Sequence, residues 1–298
     1  MKPFVKWAGG KRQLLPELYR LLPQELLTMD EITYIEPFVG GGAMLFFMIE
    51  TFPNIKRVVA NDINQDLINT YVVVRDHVGD LVARLSSLQY CYYKQTDRQS
   101  ELYYELRNRY NDKTITSITE RAALFIFLNH TCFNGLYRVN SKGEFNVPFG
   151  RYKKPNICDA ETLRADSVAL QGVEFICGDF TQTEHYASPN TFYYLDPPYR
   201  PLNSTSAFTA YSANGFSDAD HLRLRNFCQH LRTKRAMLMQ SNSDAKAKNE
   251  EDWDFNTIYE SFYIERILAS RAINSNGQRR GKLHEIVVRN YNQTLLHP

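Results

Sequence analysis

The chain has 298 residues, 23% of them charged, with a net charge of +2 and a pI near 8.2. That length exceeds one ordinary core and suits a large α/β domain carrying a smaller insertion, and so mild a basic balance confines any nucleic-acid surface to a local patch. Five scattered cysteines (Cys91, Cys132, Cys158, Cys177, Cys228) without C-x-x-C spacing, and seven histidines without H-x-x-x-H spacing, exclude a disulfide framework and a zinc site by pattern, so reduced thiols and no metal are expected.

Lys2, Lys6 and Lys11 open the chain without an apolar h-region, and the longest purely apolar run, Ala43 to Ile49, is too short to span a membrane. A cytoplasmic protein is expected. The first strand-like segment, Thr33 to Ile35, runs into Glu36-Pro37-Phe38-Val39-Gly40-Gly41-Gly42-Ala43 and a helical pattern from Met44 to Glu50. Glycines here let backbone approach a ligand closely, but the spacing is not the dinucleotide G-x-G-x-x-G, which argues for a nucleoside without a pyrophosphate. A second strand, Arg57 to Ala60, ends in Asn61-Asp62, an acid placed to bind ribose hydroxyls. A helix over Gln65 to His77 follows.

Residues Gly79 to Ala165 are too long for a crossover and differ from it in composition. Their first part reads as helices, including Glu101 to Tyr110 and Ala122 to Leu128. Their second part, Asn134 to Lys154, is turn-rich and sets Arg138, Lys142, Arg151, Lys153 and Lys154 against one acid, Glu144, with Tyr137, Phe145, Phe149 and Tyr152 interleaved. On a projecting hairpin these residue types suit phosphate contacts, base-edge readout and stacking together; a solvated loop with a few packed aromatics is the competing reading.

A third strand, Val173 to Cys177, leads to Gly178-Asp179-Phe180, where Asp179 is either a ligand for an amine or a helix N-cap. The fourth, Phe192 to Leu195, ends in Asp196-Pro197-Pro198-Tyr199. A carboxylate, a proline carbonyl and an aromatic ring at one strand end suit an exocyclic amine on a flat base: Asp196 and Pro197 would each accept one N–H, and Tyr199 would stack. A helix over Asp218 to Arg232 and strands over Ala236 to Met239 and Glu285 to Tyr291 complete an alternation that signals βαβ units and a mainly parallel sheet. Arg223, Arg225, Arg232, Lys234 and Arg235 read as an exposed helix face. Arg266 to Lys282, basic and without an acid, reads as a phosphate clamp or a solvated loop.

Six blocks in this order, Lys6-Trp7-Ala8-Gly9-Gly10-Lys11, Glu36 to Gly42, Asn61-Asp62-Ile63-Asn64, Asn134 to Arg138, Gly143 to Tyr152 and Asp196 to Tyr199, resemble the Dam-type, α-group DNA adenine-N6 methyltransferases across nearly the whole chain. The resemblance implies a Rossmann-like sheet using S-adenosylmethionine, with catalysis in 1–78 and 166–298 and a mainly helical target-recognition insertion carrying a hairpin in 79–165. It implies Trp7, Lys11, Phe38, Gly40, Asp62, Asp179, Phe180 and Asp196 as cofactor contacts and Asp196, Pro197 and Tyr199 as catalytic residues. Toward double-stranded DNA it implies Lys6, Phe133, Asn134, Leu136, Arg138, Pro148, Arg151 and Tyr152, with Arg138 reading guanine and GATC as the site. Phe133 departs from several relatives, which carry tyrosine there; a phenyl ring still wedges, without the hydroxyl. Methyl transfer would be direct, by a monomer. The rivals are an amino-methyltransferase acting on RNA or a protein amide, and a DNA-binding protein that has lost activity.

Overall fold

A computed structural model describes residues 1–112, 114–199, 215–244, 254–269 and 283–292. Seven strands, β1 Ile32–Glu36, β2 Ile55–Asp62, β3 Val173–Cys177, β4 Thr191–Leu195, β5 Met237–Ser243, β6 Tyr263–Ala269 and β7 Leu283–Arg289, form one sheet in the order β3-β2-β1-β4-β5-β7-β6. The first five strands pair in parallel, and β7 lies antiparallel between β5 and β6. Strand order reverses between β1 and β4, the place where open α/β sheets receive ligands beside the carboxyl ends of their strands.

Alternation along each strand divides the core. Ile35, Val59, Tyr193, Leu195 and Leu238 face one side, and Tyr34, Val58, Ala60, Phe192, Tyr194 and Met239 face the other. Because both sides are covered, β4 is buried throughout and reads as an unbroken apolar run. The helices, in chain order, are α1 Leu15–Arg20, α2 Glu25–Thr28, α3 Ala43–Thr51, α4 Gln65–Asp76, α5 Val78–Lys94, α6 Gln99–Asn111, α7 Ile118–Thr131, α8 Ala160–Ala169, α9 Asp218–Thr233 and α10 Phe255–Ile258. Leu224, Phe227 and Leu231 of α9 cover the first side together with Phe255. On the other side, Leu67, Tyr71 and Val74 of α4 merge with Leu85 of α5, Tyr103 of α6 and the buried stretch Ala122 to Leu128 of α7.

After α7 the chain forms the hairpin, held by two isolated antiparallel bridges, Cys132 to Phe149 and Val139 to Phe145, rather than a ladder. Its turn is organised by Asn140, whose side-chain oxygen accepts from the Lys142 and Glu144 N–H groups at 2.9 and 3.0 Å. Tyr137 and Phe145 point inward, 8% and 3% exposed. The expectation that they join a stacking surface is therefore corrected: they anchor the hairpin to the core. Asn111 exchanges hydrogen bonds with the Phe145 backbone at 2.8 and 3.0 Å, and the Tyr103 hydroxyl donates to the Val147 carbonyl at 2.7 Å, so α6 sets where the hairpin stands.

Candidate active site

Three strand ends are tied together by one side chain. Asn61, 1% exposed at the end of β2, donates to the Pro37 carbonyl at 2.8 Å and the Gly178 carbonyl at 3.0 Å. This joins the turn after β1 to the turn after β3. Gly40 and Gly42 take φ of +47° and +74°, which side chains resist, and a Cβ on Gly40 would come within 2.8 Å of the Trp7 ring. The Gly40 N–H donates to Asp62 Oδ2 at 3.0 Å and its carbonyl accepts from the Tyr71 hydroxyl at 2.9 Å. Asp62 Oδ1 accepts from the Asn64 N–H at 2.9 Å. Burial pushes the Asp62 carboxyl up to about 6, with the Asn64 and Gly40 N–H groups opposing it.

Lys11, in the short turn Lys11–Gln13, is 3% exposed, unlike an ordinary solvated lysine. Its Nζ lies 3.0 Å from Asp196 Oδ1 and 3.6 Å from Glu285 Oε2, and donates to the Gly9 carbonyl at 3.1 Å and to the Tyr199 hydroxyl. The Tyr199 hydroxyl donates in turn to Glu285 Oε2 at 2.9 Å. Ser241, on β5, donates to Asp196 Oδ1 at 3.0 Å and sits 2.9 Å from the Tyr194 hydroxyl. The bonds from Lys11 and Ser241 thus fall on the same carboxylate oxygen. Burial raises the Asp196 carboxyl above the ordinary range although Lys11 and the hydrogen bonds pull it down. Burial raises Glu285 as well, and Glu36, which accepts from the Tyr34 hydroxyl at 2.8 Å.

Glu285, Ser241 and Tyr194 were not among the site residues expected from sequence. Ser241 sits in a polar stretch that looks like a loop, and Glu285 is one acid at the edge of an apolar run; neither carries a spacing signal.

Asp179 caps the 3-10 turn Phe180–Tyr186, accepting from the Thr181 N–H at 3.1 Å. Arg223 Nη2 lies 3.0 Å from both of its oxygens. Burial acts to raise this carboxyl, but the bonds from Thr181 and Arg223 outweigh it and hold it below the ordinary range. Arg223 lies on the exposed face expected for it and also makes this ion pair. Phe180 is 3% exposed, with its ring 5.4 Å from Phe38 and 5.3 Å from Phe227.

A second buried asparagine ties the expected DNA contacts together. Asn129 accepts from the Lys6 N–H at 2.8 Å and donates to the Lys6 and Gly135 carbonyls at 2.8 and 3.1 Å. The Lys6 ammonium lies 5.0 Å from the Tyr152 ring centroid, and a Cβ on Gly135 would meet the Lys6 stem at 2.5 Å. Phe133 is 48% exposed and donates its N–H to the Pro148 carbonyl at 2.8 Å. Lys6, Asn134, Pro148 and Arg151 are exposed; Leu136, Arg138 and Tyr152 are half-buried. Arg138 is fixed by Asn146, donating from Nε to its Oδ1 at 2.7 Å and from Nη2 to its carbonyl at 3.3 Å. In the second basic stretch, Arg271, Arg279, Arg280 and Lys282 lie outside the described residues, whereas Arg266 is paired with Asp244 at 3.1 Å.

A parallel sheet with one antiparallel strand, a glycine turn with a following acid, and Asp-Pro-Pro-Tyr at the switch point define a Rossmann-like amino-methyltransferase. Residues 7–273 match the family described as D12 class N6 adenine-specific DNA methyltransferase, and the chain belongs to that family. It is 44% identical over 294 residues to the Type II methyltransferase M.MjaIII of Methanocaldococcus jannaschii, covering 98% of this chain and 99% of that one. It is 36% identical to the DNA adenine methylase of Salmonella typhi, covering 96% and 94%. Among solved structures, the rRNA methyltransferase aviRa of Streptomyces viridochromogenes is similar at 13% identity and a TM-score of 0.37, covering 96% of this chain and 89% of that one. So distant a likeness adds nothing to the strand order.

The protein is an adenine-specific DNA methyltransferase, and its family and fold imply use of S-adenosylmethionine. The residues fit that group. The left-handed glycines bring backbone against the strand ends, and the Asp62 carboxylate, with one N–H on each oxygen, keeps acceptor capacity that ribose hydroxyls could use. Among the described residues no helix is long and apolar enough to cross a membrane.

Proposed function

We propose that the protein methylates adenine N6 within GATC in duplex DNA, on an adenine turned out of the stack. The observation that supports this reading is the arrangement at Asp196: Lys11 and Ser241 both bond to Oδ1, which favours Oδ2 as the acceptor for the substrate amine. The Pro197 carbonyl accepts the second N–H, and Tyr199 lies on the base face. Two acceptors placed in advance favour the tetrahedral nitrogen that develops as the bond forms. S-adenosylmethionine supplies a methyl on a positively charged sulfur, already activated without a metal. Trp7, Lys11, Phe38, Gly40, Asp62, Asp179 and Phe180 hold it, and no covalent enzyme intermediate forms.

Residues 79–165 act as the target-recognition region and 1–78 with 166–298 as the catalytic region. Arg138 reads guanine, a contact worth about 1–3 kcal/mol of discrimination; its fixation by Asn146 supports a reader held in one orientation. Leu136 and Pro148 meet the thymine side, Lys6 meets the outer guanine, and Phe133 wedges into the gap the adenine leaves. Asn134, Arg151 and Tyr152 face the DNA. The GATC assignment rests on the likeness of the hairpin residues to Dam-type enzymes. A cytoplasmic monomer suffices, since each strand can be modified in turn.

The test is expression in a host lacking adenine methylation, followed by single-molecule sequencing of its plasmid. N6-methyladenine at GATC is expected, and Asp196→Ala should leave the plasmid blank. Methylation at another motif would overturn the base contacts while keeping the chemistry. Near-normal turnover by Asp196→Ala would sink the role given to Asp196, and a blank plasmid from soluble, cofactor-binding wild-type protein would favour an RNA or protein substrate.

A further inference from the structure

Lys11 is more heavily solvated by protein than one ion pair requires. An ammonium has three N–H bonds, yet four oxygens surround this one: Asp196 Oδ1 at 3.0 Å, the Gly9 carbonyl at 3.1 Å, Glu285 Oε2 at 3.6 Å and the Tyr199 hydroxyl. Two of the four belong to carboxylates, and both carboxylates are largely withdrawn from solvent, at 21% and 14% exposure. Glu285 arrives from β7, remote in sequence from the Asp-Pro-Pro-Tyr segment, and touches two members of the site at once, Lys11 and Tyr199.

We propose that Glu285 is a positioning residue for methyl transfer, fixing the Tyr199 ring through its hydroxyl and sharing the charge of Lys11, so that Asp196 remains an undiminished acceptor for the substrate amine. This rests on the reading of Asp196 as that acceptor. With Lys11 positive and two carboxylates negative, the cluster carries a net charge of −1. An N6 that gained the methyl would carry positive charge beside Asp196 until one of its protons was released to solvent, and a net negative cluster would favour that charge. If Glu285 were neutral, Asp196 alone would balance Lys11, the cluster would be uncharged, and the acceptor would be weaker just where charge develops. The hydroxyl bond adds a second function, since a ring anchored at its far end cannot pivot off the base.

The decisive variant is Glu285→Gln, which keeps the shape and an acceptor for the Tyr199 hydroxyl but removes the charge; Glu285→Asp keeps the charge on a shorter stem. The readouts are the single-turnover methylation rate of a GATC duplex, its dependence on pH, and duplex affinity. The titratable and charged groups facing Glu285 are Lys11, Asp196, Tyr199 and Tyr194, and Glu36 faces Asp196 from β1. Removing the Glu285 charge takes a like charge away from Asp196, so the acid limb of the rate profile should move to lower pH in Glu285→Gln. Its plateau rate should fall tenfold or more, with duplex affinity within twofold of wild type. Glu285→Asp should keep the acid limb in place. A wild-type rate and limb in Glu285→Gln overturns the inference, as does an equal loss of rate in both variants with neither limb moved, which would mark a purely structural residue. If Glu285→Gln fails to fold, a shifted acid limb in Glu285→Asp overturns the charge argument by itself. Asp196→Ala, run alongside, separates the two readings: if it retains turnover the acceptor assignment fails, whereas an inactive Asp196→Ala beside an unaffected Glu285→Gln removes only the role of Glu285.

Discussion

Replacing Asn61 by alanine tests whether the floor of the site is held together by one side chain. Asn61 is 1% exposed and spends its amide on two carbonyls, at 2.8 and 3.0 Å, one in each of two turns. Each net hydrogen bond contributes about 1 kcal/mol, and a buried partner left unpaired costs about 1–3 kcal/mol, so Asn61→Ala should lose roughly 2–4 kcal/mol. Urea unfolding near neutral pH should show a lower midpoint at an unchanged slope. Because the tie joins the turns carrying Phe38 to Gly42 and Asp179 to Phe180, calorimetric titration with S-adenosylmethionine should show weaker binding by the folded variant. A stability loss below about 1 kcal/mol with unchanged cofactor affinity would refute the reasoning.

Tyr71→Phe removes the hydroxyl that donates to the Gly40 carbonyl at 2.9 Å, and should cost about 1 kcal/mol in denaturant melts together with some cofactor affinity. Asp166 is fully buried, and burial pushes its carboxyl up to about 7, with the chain's N-terminal ammonium and the Lys2 N–H opposing it. The folded state therefore holds this proton more tightly than the unfolded chain. The stability it contributes is complete below the ordinary carboxylate range and is lost as pH rises through about 7. Asp166→Asn should accordingly melt like wild type near the ordinary carboxylate pKa and gain up to about 4 kcal/mol above neutrality; a gain independent of pH would contradict this. Phe133→Ala, at a side chain 48% exposed, should change stability by less than about 0.5 kcal/mol. It should also weaken the fluorescence rise of a duplex carrying 2-aminopurine at the target position.

In the central sheet β4 was readable because it is buried on both sides and stands as an apolar run, with Phe192 to Leu195 lying within it, while Val173 to Cys177 matches β3, a half-buried edge strand marked by its apolar content. Strand β5 was cut short at Met239 in the sequence reading because Gln240, Ser241, Asn242 and Ser243 look like loop, although all four are buried. Their polarity is used inside the fold: Ser241 bonds Asp196, and Gln240 accepts from the Tyr259 hydroxyl at 2.9 Å. Strand β6 was missed because Glu265 and Arg266 interrupt its apolar residues. At the site, glycines and an Asp-Pro-Pro-Tyr segment announce themselves locally. The acid of β7 does not, because its meaning depends on strand order, which no local pattern contains.

The merged core has a consequence for altering target choice. The apolar stretch of α7 rests against α4, which flanks the sheet, and against α5 and α6, which support the hairpin. Helices and sheet should consequently melt in a single transition, and the region proposed to read DNA is not a cassette that can be lifted onto another methyltransferase. A graft that took α5 to α7 without the matching side of α4 would expose the interior of both parts. Redirecting the enzyme to a new sequence is better confined to the outward side chains of the hairpin, such as Phe133, Asn134, Pro148 and Arg151, which can change while the packing beneath them stays intact.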